Sequence, residues 1–173
     1  MASEDGFGLV ELMVAATLML VGVLSGFVAF EASQRADARG ERTASVAHRA
    51  QSEIERIEAL PYASVGMEGT LPTNSGSGNA KDPLNYVVNS PAEYKYDWSE
   101  PSKKEPFVTG GSIGAYSTAW TLGNVSGTLY RFVTWVSDPC PSCANSQDYK
   151  RVTIVLTTSG TAAPFVDSTV ITK

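Results

Sequence analysis

Little in this sequence suits catalysis. Of its 173 residues only one is histidine, His48, and only two are cysteine, Cys140 and Cys143. The serines nearest His48, Ser45 and Ser52, complete no triad with it. With no second histidine and no clustered acidic pair, no enzyme activity is expected. Two cysteines cannot by themselves fill a four-ligand zinc site. Asp138, Asn145 and Asp148 lack the spacing of a calcium loop and read as ordinary turn residues. No metal or cofactor is expected.

Basic charge is scarce as well. The formal net charge is −5, and the first six residues, MASEDG, contain no lysine or arginine. Five of the seven arginines (Arg35, Arg39, Arg42, Arg49, Arg56) fall in one stretch. They are interleaved there with Glu31, Asp37, Glu41, Glu53, Glu55 and Glu58. That pattern predicts a solvated helix face laced with ion pairs, and it weighs against nucleic acid as the main partner.

Between Leu12 and Phe30 there is no charge of either sign. The run FGLVELMVAATLMLVGVLSGFVAF, residues 7–30, contains one ionisable side chain, Glu11. A helix of that length spans ~36 Å, enough to cross a bilayer core of ~30 Å. The run is too long for a secretory signal peptide and lacks the basic region that precedes one. A plain transmembrane anchor accounts for its length but not for Glu11. A carboxylate inside a spanning segment costs about 3 kcal/mol on insertion scales, so such a group is usually paired and functional. No cation lies near it on the same helix.

The helical pattern continues beyond the apolar run. Ala32, Ala36, Ala47, Ala50, Ile54 and Ile57 form one apolar stripe, with Gly40 and Thr43 filling the gap. Pro61 predicts an end at about Leu60. Residues 61–83 have loop composition. Beyond them, short strands are expected at Tyr86–Val88 and Tyr94–Trp98. Longer strands are expected at Ala115–Leu122, Thr128–Val136, Tyr149–Thr157 and Pro164–Thr172. In Tyr149–Thr157 the alternation of Val152, Ile154 and Leu156 with Arg151, Thr153 and Val155 predicts one buried face. Helix followed by strands predicts an α+β fold, with one antiparallel sheet of three to five strands packed on the second half of the helix. Trp98, Trp120 and Trp135 are expected to pack in the core or at its edge.

Cys140-Pro-Ser-Cys143 falls in the loop between two of these strands. A small disulfide closing the loop is the expectation. A redox pair, a metal site and free thiols are the alternatives, the redox role being disfavoured because no helix start follows to lower a thiol pKa.

The stretch Gly6-Phe7-Gly8-Leu9-Val10-Glu11-Leu12 closely resembles the cleavage motif of type IV prepilins and type II secretion pseudopilins: a short polar leader ending in glycine, then phenylalanine, a small residue, two aliphatics, glutamate and leucine. Thr134-Trp-Val-Ser-Asp-Pro and Asp148-Tyr-Lys-Arg-Val-Thr resemble a hairpin of minor pilins. Gly8 stands where the family usually has Thr or Ser, and the leader is acidic where the family's is basic. The resemblance implies cleavage by a prepilin peptidase between Gly6 and Phe7, with N-methylation of Phe7. It also implies that Glu11 pairs with the N-terminal amine of a neighbouring subunit. The implied division is a leader (1–6), a membrane and filament-core helix half (7–30), an amphipathic half (31–60) and a loop with a β head (61–173). Gly22-x-x-x-Gly26 is a small-residue pattern suited to close helix packing. The implied partners are the peptidase, other pilin subunits, an assembly motor with its platform proteins, and the inner membrane, with the head on the far side and later in a filament. A tip subunit for DNA uptake or surface adhesion, and a membrane-tethered domain without a filament, are the alternatives; DNA is the less favoured ligand.

Overall fold

The computed structural model describes residues 8–100, 102–136, 149–159 and 163–173. Its first element is the 50-residue helix α1 (Leu9–Glu58). Leu, Met, Ala, Glu, Gln and Arg dominate its length, all good helix formers. Below Pro61 the helix closes with a tightened turn, Leu60 N donating to Ile57 O at 3.0 Å. It therefore ends two residues before the expected Leu60, because the residue ahead of a proline is driven out of helical geometry.

The chain divides into two compact units, one reaching to Thr43 and one running from Ala44 to Lys173. In the first unit every described side chain is exposed. In the second, Val46, Ala50, Glu53, Ile54 and Ile57 turn one face of α1 into core. The stripe expected from Ala32 is thus buried only from Val46 onward, and Ala32 and Ala36 stay exposed.

The second unit has two antiparallel sheets. The smaller joins β1 (Val87–Asn89), β2 (Ala92–Tyr94) and β3 (Glu105–Pro106) in that order. The larger joins β4 (Ser117–Leu122), β5 (Val125–Val136), β6 (Tyr149–Thr158) and β7 (Phe165–Ile171) in that order. β4 and β5 form a two-residue hairpin at Gly123-Asn124, where Gly123 has φ +58°. That positive φ matches the turn geometry that continues the twist of the flanking strands. β4 pairs only with the first part of β5. Beyond it, Val108 N donates to Val133 O at 2.9 Å and Phe107 bridges Thr134, so the chain leaving β3 continues the ladder.

Two expectations are corrected here. The head has two sheets rather than one, because the strands before residue 107 are too short to stand out as periodic runs. β6 is buried on both faces, not one, with Thr153 and Val155 as inaccessible as Val152, Ile154 and Leu156. On one face, Leu129, Val133, Val152, Ile154 and Leu156 share a core with Val46, Ala50, Ile54 and Ile57 of α1. On the other, Phe132 stacks on Tyr94 of β2 with ring centroids 3.9 Å apart. The large sheet is the middle of three layers.

Candidate membrane and assembly helix

From Leu9 to Phe30 the helix carries fourteen large apolar side chains, each between 52% and 77% exposed. Leaving one such side chain in water rather than burying it costs about 1.5–3 kcal/mol. A surface of this size demands an apolar cover. Its length and composition suffice to cross a membrane, and it is the one described helix that meets that test.

The polar atoms of this stretch are handled within the helix, with one exception. Thr17 Oγ1 donates to Val14 O at 2.8 Å and lies 3.1 Å from Met13 O. Ser25 Oγ donates to Val21 O at 2.8 Å. Such back-bonding hides a hydroxyl from an apolar medium. The carboxylate of Glu11 has no such option, since backbone carbonyls cannot donate to it. It is exposed in the first turn of α1, with no partner among the described residues. A negative group is favoured there by the helix dipole and the free N–H groups, though only by about 0.3–1 kcal/mol. That does not offset removal of a full charge from water.

Gly22 and Gly26 lie within regular α-helix, and a Cβ built at either meets nothing within 4 Å. They leave a shallow place on the surface where another helix can approach. Gly6, Phe7, Cys140 and Cys143 lie outside the described residues, as do Asp138, Asn145 and Asp148. His48 is an exposed position on α1.

The charged stretch of α1 is only partly the solvated face expected. Arg35 and Glu31 pair at 3.5 Å with both side chains over 70% exposed, an arrangement worth little. Glu53 is different. It is 1% exposed, and its Oε1 accepts from Arg131 Nε of β5 at 2.7 Å and from Arg56 at 2.6 Å. Arg49 approaches Oε2 at 3.3 Å. Arg131 also donates to Ala115 O at 2.9 Å and Thr118 Oγ1 at 2.7 Å, and Arg56 to Ile113 O at 2.7 Å. Burial pushes the Glu53 carboxyl up, but the hydrogen bonds and charges of Arg131 and Arg56 prevail and hold it below the usual carboxylate value.

Another buried charge has no carboxylate partner among the described residues. Lys150 is 5% exposed; its Nζ donates to Tyr62 O at 2.8 Å and Val65 O at 2.7 Å and sits 4.4 Å from the Tyr62 ring centroid. Burial, with the charge of Lys173 second, lowers its pKa.

Neither Glu53 nor Arg131 was singled out from the sequence, although both left a signal. Glu53 falls on the stripe defined by Ala50 and Ile57, and Arg131 sits in phase with Leu129 and Val133. A charge placed on each of two buried phases predicts a pair. No family model, curated protein or solved structure matches this chain.

Proposed function

We propose that this chain is a type IV pilin-like structural subunit, a minor pilin or pseudopilin of a pilus or type II secretion filament. The observation that carries the proposal is Glu11, the lone ionisable side chain of the exposed apolar stretch Leu9–Phe30, in the first turn of α1.

Lipid satisfies the fourteen apolar side chains but not the carboxylate. A prepilin peptidase cutting between Gly6 and Phe7 would create a new α-amine, positive near neutral pH. N-methylation of Phe7 keeps that charge. In the same chain the amine would lie only four residues before Glu11, so a sister subunit, offset along the filament axis, supplies the better-placed partner. The ion pair then forms only on assembly, where low dielectric strengthens it. Moving apolar side chains from lipid to neighbouring helices yields little hydrophobic gain, because lipid is equally apolar. An assembly motor and platform must therefore supply the work of extraction from the inner membrane. Gly22 and Gly26 mark where neighbouring helices come close. The role is structural, not catalytic, and it requires no cofactor. Cys140 and Cys143 belong to the head, where an oxidising compartment would pair them.

Mass mapping of the N-terminal peptide from the native protein tests the proposal. The expected first residue is N-methylated Phe7. A native N-terminus at Met1 or Ala2 would replace it with a membrane-tethered domain that joins no filament.

A further inference from the structure

On the face of the large sheet away from α1, a groove of about 540 Å³ runs between residues 96–99 and β7. Its lining includes Tyr96, Asp97, Trp98, Arg151, Val166 and Ser168. The volume falls in the range of small-molecule sites.

The polar groups of the lining are held in place yet not used up. Arg151 Nε lies 3.3 and 3.2 Å from the two carboxylate oxygens of Glu105, and its guanidinium carbon lies 4.2 Å from the Tyr96 ring centroid. Its two terminal nitrogens have no acceptor among the described residues, which leaves four N–H donors on a fixed plane. Asp97 is the converse. Its Oδ1 accepts from Ser99 N at 2.9 Å, Ser99 Oγ at 2.6 Å and Glu100 N at 3.2 Å. Among the described residues its Oδ2 is approached only by Lys103 Nζ, at 3.6 Å, so its lone pairs remain open. Trp98 is braced by Tyr86, centroids 4.1 Å apart. Arg151 is paired with Glu105, and Lys103 is shared between Asp97 at 3.6 Å and Glu100 at 3.0 Å, so the groove carries no excess of positive charge.

A groove with no excess of positive charge to hold an anion, with planar donors and acceptors beside aromatic rings and a valine, suits neighbouring hydroxyls on a ring with apolar C–H faces. A hydroxyl both donates and accepts, so it can use Arg151 and Asp97 together, and its C–H face can lie on aromatic or aliphatic surface. We infer that this groove binds a neutral saccharide of one or two sugar units. The inference does not depend on how α1 is used.

The test uses the full chain in lipid nanodiscs, labelled with 5-fluorotryptophan. Its three tryptophans give three fluorine lines. Trp98 lines the groove, whereas Trp120 and Trp135 lie in phase with the α1-facing residues of the sheet. Cellobiose, maltose and chitobiose are titrated separately, with glucuronate as the anionic comparison. The expected result is a saturable shift of the Trp98 line alone with at least one disaccharide. Val166→Phe, a substitution at a partly exposed edge position that fills the groove, should weaken that shift about tenfold or more while leaving the other two lines in place. No shift with any disaccharide overturns the inference. So does common movement of all three lines, an unchanged titration in Val166→Phe, or binding of glucuronate alone.

Discussion

Arg131 Nε on β5 donates to Glu53 Oε1 on α1 at 2.7 Å, joining two residues that are 6% and 1% exposed. The pair fixes the register of helix on sheet, because either residue displaced by one position would leave a charge against hydrocarbon. Removing one partner of a buried pair costs about 3–5 kcal/mol, whereas replacing both with apolar groups of similar size is often neutral. Arg131→Met should therefore destabilise the head by about that amount in urea denaturation followed by tryptophan fluorescence. Glu53→Leu combined with Arg131→Met should recover most of the loss. A single variant within 1 kcal/mol of wild type would show that the pair contributes nothing to stability.

Two of the buried charges, Glu53 and Lys150, make stability respond to pH at opposite ends of the scale. The Glu53 carboxyl lies below its ordinary value of 4.5 in the folded chain. Its contribution is fully present above pH 4.5 and is lost as pH falls through the lower folded value. Lys150 is a base whose pKa is depressed below 10.5. The unfolded chain then holds the proton more tightly, so stability rises as pH climbs from the folded value toward 10.5. Lys150→Met should abolish the alkaline rise and leave the acid loss intact. An unaltered alkaline slope in that variant would assign the rise to another group.

Phe132 stacks on Tyr94 at 3.9 Å and is wholly inaccessible. Phe132→Ala should cost about 3–5 kcal/mol, since both a ring and its stacking partner lose contact. Val170→Ala, at an edge residue that is 45% exposed, should cost well under 1 kcal/mol. Thermal unfolding of the two variants side by side checks the ranking; equal losses would contradict the three-layer core.

Two glycines should respond oppositely to alanine. A Cβ at Gly127 would overlap the Thr157 carbonyl oxygen across the β5–β6 ladder, whereas one at Gly40 meets nothing within 4 Å. Gly127→Ala should destabilise the sheet by about 1–3 kcal/mol or more. Gly40→Ala should favour helix by about 1 kcal/mol. Circular dichroism melts of the two variants separate the effects, and a stabilised Gly127→Ala would mean that the strands part easily.

Glu11→Ala should leave cleavage at Gly6–Phe7 intact, because the peptidase site precedes it, yet strongly reduce entry into filaments. Immunoblots of sheared filament and membrane fractions measure both. Normal incorporation would remove the pairing role proposed for Glu11.

How much was legible followed from how local each signal is. The long N-terminal helix, its stop near Pro61 and the four longer strands were readable, because periodicity and proline act within a few residues. The short strands were read only in part: the expected Tyr86–Val88 overlaps β1, the expected Tyr94–Trp98 meets β2 only at Tyr94, and β3 was not foreseen, since two or three residues carry no period. Val155 and Thr153 were expected on an open face because nothing in β6 itself announces the layer containing Tyr94. The groove beside Arg151 unites residues 96–99 with residues 151–168, a meeting that neither segment foretells.

By itself the sequence determined an uncharged helical run broken only by Glu11, a second helical stretch ending at a proline, and strands that must follow it. These are matters of solubility and backbone geometry, decided residue by residue. Only the tertiary structure decided that Glu53 and Arg131 meet, that Lys150 is capped by two carbonyls, and that β6 is covered on both sides. Those outcomes depend on which distant surfaces share a core, and burial is a property of the whole packing.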